Sequence, residues 1–156
     1  MDGTVLDIYT RVLSHTIEIG NGWGTRGPSP LKGFYVLDHA VLGIESGHVT
    51  EAMLAAEAVP FDRDLQLAVL TAVAGSGPVE WIPDFYQYVD MELPGPIHVR
   101  NSYGIVVLGP VVAEADAWVV GVFFYAGGRW SRTNRYELAM QEDAWAITRF
   151  ETLDVS

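Results

Sequence analysis

The chain contains no cysteine. That excludes disulfides, thiolate nucleophiles, iron–sulfur clusters and thiolate zinc sites in any compartment. No run of about 18 apolar residues occurs either, so no transmembrane helix is expected. Basic residues are scarce: 9 Lys and Arg stand against 20 Asp and Glu, a formal charge of −11 distributed over both halves of the chain. An acidic excess repels phosphate backbones and anionic headgroups, which argues against nucleic acid or a membrane surface as partner. It serves solubility, or it suits a basic protein. Met1-Asp-Gly-Thr has no basic region ahead of an apolar stretch, so no signal peptide is read here and the cytoplasm is the expected compartment.

Reaction motifs are missing as well. There is no Gly-x-Ser-x-Gly elbow, no His-Glu-x-x-His and no His-x-Glu. Ser14-His15 is a neighbour pair on a helix, which is not the geometry of a dyad. Gly20-Asn-Gly-Trp-Gly-Thr-Arg-Gly superficially suggests a phosphate cradle, but a helix leads in and Pro28 and Pro30 lead out. A cradle needs the reverse order, with a helix N-terminus facing the anion. The stretch reads as a loop, with Trp23 tucked beneath it or acting as a lid. No catalytic residue, metal site or cofactor follows from these residues.

What is present is the pattern of one packed domain over 1–156. Hydrophobic residues make up 49%, with five Trp, seven Tyr and six Phe along the length, enough to bury a substantial core. Thr4 and Asp7 open a helix over 4–19 in a capping-box-like start; Leu6, Tyr9, Leu13 and Ile17 mark its apolar face, and Gly20 ends it. A nearly continuous apolar stretch over 33–42 predicts a central strand. A turn at 44–47, a short Thr50-capped helix or irregular segment over 50–58, a helix over 65–74 begun by Asp62 or Asp64, and a strand over 79–82 follow. Residues 97–100 open a chain of antiparallel strands over 103–112, 117–126, 130–141 and 144–153. Tyr136, Leu138 and Met140 alternate with Arg135, Glu137 and Ala139; Trp145 and Ile147 face one way, Thr148 and Phe150 the other. That period of two predicts an α+β fold: N-terminal helices on one face of a mainly antiparallel sheet formed chiefly by the C-terminal half, with one parity set buried per strand.

Two groups of polar residues stand out. Asp38 and His39 end the central strand, with His48 across a turn; His98 and Arg100 end the strand that opens the meander. Strand ends are where a rigid sheet offers groups to a ligand. Asp38, His39, His98 and Arg100 are therefore the candidate ligand site, with Trp23 above them. Alternation places His98 and Arg100 on one face, whereas neighbours on a strand point apart, so Asp38 and His39 share a ligand only if the strand bends. The second group is Arg129, Arg132, Arg135 and Arg149, gathered in 21 residues of an acidic chain. They pair across strands with Glu137, Glu142 and Glu151, or they form an anion or partner patch beside Trp130. The carboxylate pairs Glu80/Asp84 and Asp90/Glu92 flank a proline-rich turn, where solvation is the default.

Tyr35-Val-Leu-Asp38, Val79-Glu-Trp-Ile82, Gly104-Ile-Val-Val-Leu-Gly-Pro110, Tyr136-Glu-Leu138 and Trp145-Ala-Ile147 together resemble an uncharacterised bacterial family of small α+β proteins. The resemblance implies no activity and assigns no residue a role. The closing hairpin is also similar to that of nuclear-transport-factor-2-like (cystatin-related) domains; the long helix hairpin with its acid is missing here, and with it the basis for a pocket of that type. The function this supports is a non-catalytic binding or protein-interaction module, acidic in the manner of immunity proteins and inhibitors of basic enzymes. The competing reading is a small-molecule enzyme or carrier with a pocket between sheet and helices. A homo-oligomer formed through the sheet is a third.

Overall fold

The structure, a computed structural model, describes residues 3–22, 31–91, 97–128 and 130–155. The elements in chain order are helix α1 (Gly3–Gly22), strand β1 (Phe34–Leu37), short helix α2 (Glu51–Ala55), helix α3 (Arg63–Val73), β2 (Val79–Ile82), β3 (Val89–Met91), β4 (Ile97–Val99), β5 (Gly104–Leu108), β6 (Val112–Glu114), β7 (Ala117–Tyr125), β8 (Ser131–Gln141) and β9 (Ala144–Val155). Helix starts follow from local chemistry. Thr50 Oγ1 accepts from the Met53 amide at 3.2 Å to cap α2, and Asp62 caps α3 by accepting from the Asp64 amide at 2.8 Å. Among the described residues no helix is long and apolar enough to cross a membrane.

The α+β class holds, with a mixed sheet in the order β2-β1-β5-β7-β8-β9 and β6 paired to β7. β1 runs parallel to both β2 and β5, and every pairing from β5 onward is antiparallel. β4 departs from the sequence expectation. It does not open the meander but pairs with β3 in a separate two-stranded ribbon. The strand expected over 103–112 breaks at Gly109-Pro110, because Pro110 has no amide to extend the ladder.

Burial is two-sided where one side was expected. β1 and β5 are buried at every position. Phe34, Val36, Val106, Leu108, Val120 and Val122 pack with Ile8, Val12 and Val69 of α1 and α3, while Tyr35, Leu37, Ile105 and Val107 pack with Val41, Ile44 and Leu54 on the other face. The segment between β1 and α3 covers that second face, so a period of two cannot mark a single buried side. Gly20 is also not a helix stop. α1 continues to Gly22, and a Cβ on Gly20 would lie 3.0 Å from the Phe34 ring and 3.1 Å from the Phe124 ring. The glycine is there for close approach to aromatics.

A β-bulge corrects the expected parity of β9. Leu138 pairs with Ile147 while Glu137 pairs with Arg149, which leaves Thr148 extra. The extra residue returns Phe150 to the Ile147 face. There its ring lies 5.0 Å from those of both His15 and Tyr136.

One core side chain is out of keeping with its surroundings. Asn134 is 1% exposed, and neither its amide nitrogen nor its oxygen has a partner among the described residues. It stands between Val122 and Thr152 on the α1 side of the sheet. A desolvated, unsatisfied amide costs about 1–3 kcal/mol, which an apolar residue of like size does not pay. Asn134→Leu is therefore expected to raise Tm by roughly 3–6 °C in a thermal melt. An unchanged or lowered Tm would show that the amide is satisfied.

Candidate functional site

β1 ends at Leu37, and the chain bends at Asp38 and His39. The bend is held on both sides: Asp38 donates its amide to the Ile82 carbonyl at 2.9 Å, and the Phe61 amide donates to the Asp38 carbonyl at 2.6 Å. Bending removes the strand alternation and turns the two side chains toward each other, so that His39 Nδ1 lies 3.0 Å from Asp38 Oδ1. His39 is 6% exposed, and its Nε2 is buried with no partner among the described residues. In the neutral tautomer whose Nδ1–H donates to the Asp38 carboxylate, Nε2 is an acceptor.

Both residues line a cavity of about 500 Å³ at the C-terminal ends of the parallel strands β1 and β2, together with Glu57, Asp84 and Tyr86. Open sheets with parallel strands commonly present ligand sites at that end. Ala55, Ala58, Pro60 and Pro83 form the wall. Asp84 is positioned by the turn it caps, where it accepts from the Tyr86 amide at 3.0 Å. Burial, and then the Glu51 and Asp84 carboxylates, raise the Tyr86 hydroxyl above its ordinary range, so it remains a neutral donor. The described lining contains no Lys or Arg.

His98 and Arg100 are elsewhere. They line a second cavity, about 700 Å³, at the N-terminal end of β1 with Lys32, Asp90, Asn101, Ser102 and Tyr103. The four polar candidates thus divide between opposite ends of β1. Arg100 Nη2 donates to Asp90 Oδ1 at 3.3 Å, with both side chains 51% exposed, and its guanidinium lies 5.6 Å from the Tyr88 ring centroid. Trp23 lies outside the described residues, as do Arg129 and Glu92.

The other three arginines do not gather into one patch. Parity along β8 puts Arg132, half-buried, on the face of Tyr136 and Arg135 on the opposite face. Arg135 forks between Glu114 Oε2 at 2.8 Å and Glu137 Oε1 at 2.9 Å. The Glu114 hydrogen bond foremost raises its pKa further. Arg149 makes a looser exposed contact of 3.6 Å with Glu151. His48 is exposed, and among the described residues no three His, Asp or Glu side chains group to hold a metal ion.

Glu57, Asp84 and Tyr86 join Asp38 and His39 only through tertiary folding, and Lys32 joins Arg100 in the same way. Asp84 carries a local signal, since Pro83-Asp84 is a turn-forming pair that projects a carboxylate. Lys32 and Glu57 carry none, because each stands in a segment whose packing partner is distant in sequence. No protein-family model, curated protein or solved structure matches the chain.

Proposed function

We propose that this protein is a non-catalytic interaction module whose cavity at the C-terminal ends of β1 and β2 receives a basic side chain of a partner protein. The observation that carries the reading is the one-sided chemistry of that cavity. Asp38, Glu57 and Asp84 line it, with His39, and no Lys or Arg does so among the described residues. Carboxylates are acceptors; a guanidinium has five donors and no acceptor. The charge of −11 would steer a basic protein toward the surface, and the local acceptors would then select the docked side chain.

Fluorescence anisotropy with a labelled hexa-arginine peptide tests this. Glu57→Gln and Asp84→Asn are each expected to weaken binding by roughly threefold to tenfold at low salt. Asp143→Asn, in the exposed turn between β8 and β9, removes the same charge and should leave affinity unchanged. If all three variants weaken binding equally, the attraction is diffuse and the cavity has no part in it.

A further inference from the structure

We propose that the second cavity, at the N-terminal end of β1, binds a small organic anion, with Lys32 and Arg100 taking the charged group and an apolar wall taking its body. Lys32 is the only lysine of the chain. In so acidic a protein it nevertheless shares one cavity of about 700 Å³ with Arg100 and His98. The backbone fixes the cations' supports against each other: the Lys32 amide donates to the Ser102 carbonyl at 3.0 Å and the Gly104 amide to the Gly33 carbonyl at 3.0 Å.

The turn carrying Arg100 is strained. Asn101 and Ser102 are consecutive non-glycine residues with left-handed φ of 61° and 57°, a conformation that costs free energy at each position. The strain is held in place by Asn101 Nδ2, which donates at 2.6 Å to the hydroxyl of Tyr35, a residue of β1 that is 1% exposed. Such strain persists where the surroundings over-determine it, typically at ligand sites. Leu31, Val99, Tyr103 and Ala126 supply the apolar wall, and the volume is in the range of small-molecule sites.

Asp90 opposes an anion, since it lines the same cavity and holds Arg100 at 3.3 Å. An ion pair this exposed contributes little, so an arriving carboxylate or sulfonate can take the guanidinium from it. That competition gives the test a definite sign. Titration with 8-anilinonaphthalene-1-sulfonate, followed by fluorescence, is expected to saturate at one site. Lys32→Ala and Arg100→Ala should each raise its Kd by roughly fivefold or more, and Asp90→Asn should lower it by about twofold or more. Arg149→Ala, outside the cavity, should leave it unchanged. Benzoate should displace the dye, and benzyl alcohol at the same concentration should not. Equal Kd values for wild type, Lys32→Ala and Arg100→Ala overturn the proposal, as does weaker binding by Asp90→Asn or equal displacement by benzyl alcohol.

Discussion

Gly121→Ala is expected to abolish the cooperative thermal transition or to lower Tm by more than about 10 °C, a loss of roughly 4 kcal/mol or more. Gly121 lies in the middle of β7, where the turn Ile44–Ser46 crosses the sheet. A Cβ there would fall on the backbone nitrogen of Glu45 and lie 2.8 Å from both Glu45 Cα and the Ile44 carbonyl carbon. Backbone atoms cannot move aside as a flexible side chain does, so the crossing segment would have to lift away. Ile44 is 0% exposed and Leu54 8% exposed, both in the core beneath that segment; lifting the segment uncovers the second face of the sheet. The carbonyl of Gly121 also accepts from the Gly109 amide at 2.7 Å, so the strand has little freedom to shift. Gly75→Ala is the control: among the described residues nothing lies within 4 Å of a Cβ at that position, and its melt should match wild type within about 2 °C. A wild-type melt for Gly121→Ala would refute this account of the fold's second layer.

Tyr136→Ala should be nearly as damaging, at about 3–5 kcal/mol in a denaturant titration. Its side chain is 0% exposed, and its hydroxyl lies 2.8 Å from His15 Nδ1 and 3.1 Å from Thr16 Oγ1. Truncation leaves a cavity between α1 and β8 and strands both partners. The same burial makes the residue sensitive to alkali. Desolvation pushes the Tyr136 hydroxyl from 10.0 up to about 12, so the folded state holds its proton more tightly than the unfolded one. The stability this contributes is fully present below pH 10 and is lost as pH rises toward 12. About 1 kcal/mol should be gone by pH 11 and up to about 3 kcal/mol beyond the folded pKa. Tyr9, buried and donating to the Gly109 carbonyl at 2.9 Å, is raised still further by desolvation and adds to the alkaline slope. Tyr136→Phe should cost stability at pH 8 and flatten the loss between pH 10 and 12. An undiminished alkaline slope in that variant would show that Tyr136 ionises as freely folded as unfolded.

Local sequence carried the elements that are stabilised by their own residues. Thr50 and Asp62 cap helices through side chains within three residues of the amides they satisfy, and the strand 79–82 stops at a proline that has no amide. The hairpin of β8 and β9 was legible because its partners adjoin in the chain. The bulge at Thr148 was not, since an extra residue changes no hydrophobic count and only the register with β8 reveals it. Likewise, apolar runs such as Phe34–Leu37 announce burial without saying what covers each face.

The candidate sites divide in the same manner. Asp38 and His39 were conspicuous as polar residues ending an apolar strand, yet alternation alone would have sent them to opposite faces. The backbone bonds to Ile82 and Phe61 bend the chain there and make the pair. Sequence by itself determined the absence of thiol chemistry, the acidic charge, the α+β class and the antiparallel run of strands at the C-terminus. Each depends on composition or on contacts between neighbouring segments. Only the tertiary structure decided the parallel pairing of β1, the second buried face and the placing of Lys32 in one cavity with Arg100 and of Asp84 in another with His39. The physical reason is that these depend on contacts between segments far apart in the chain, which no local period or propensity encodes.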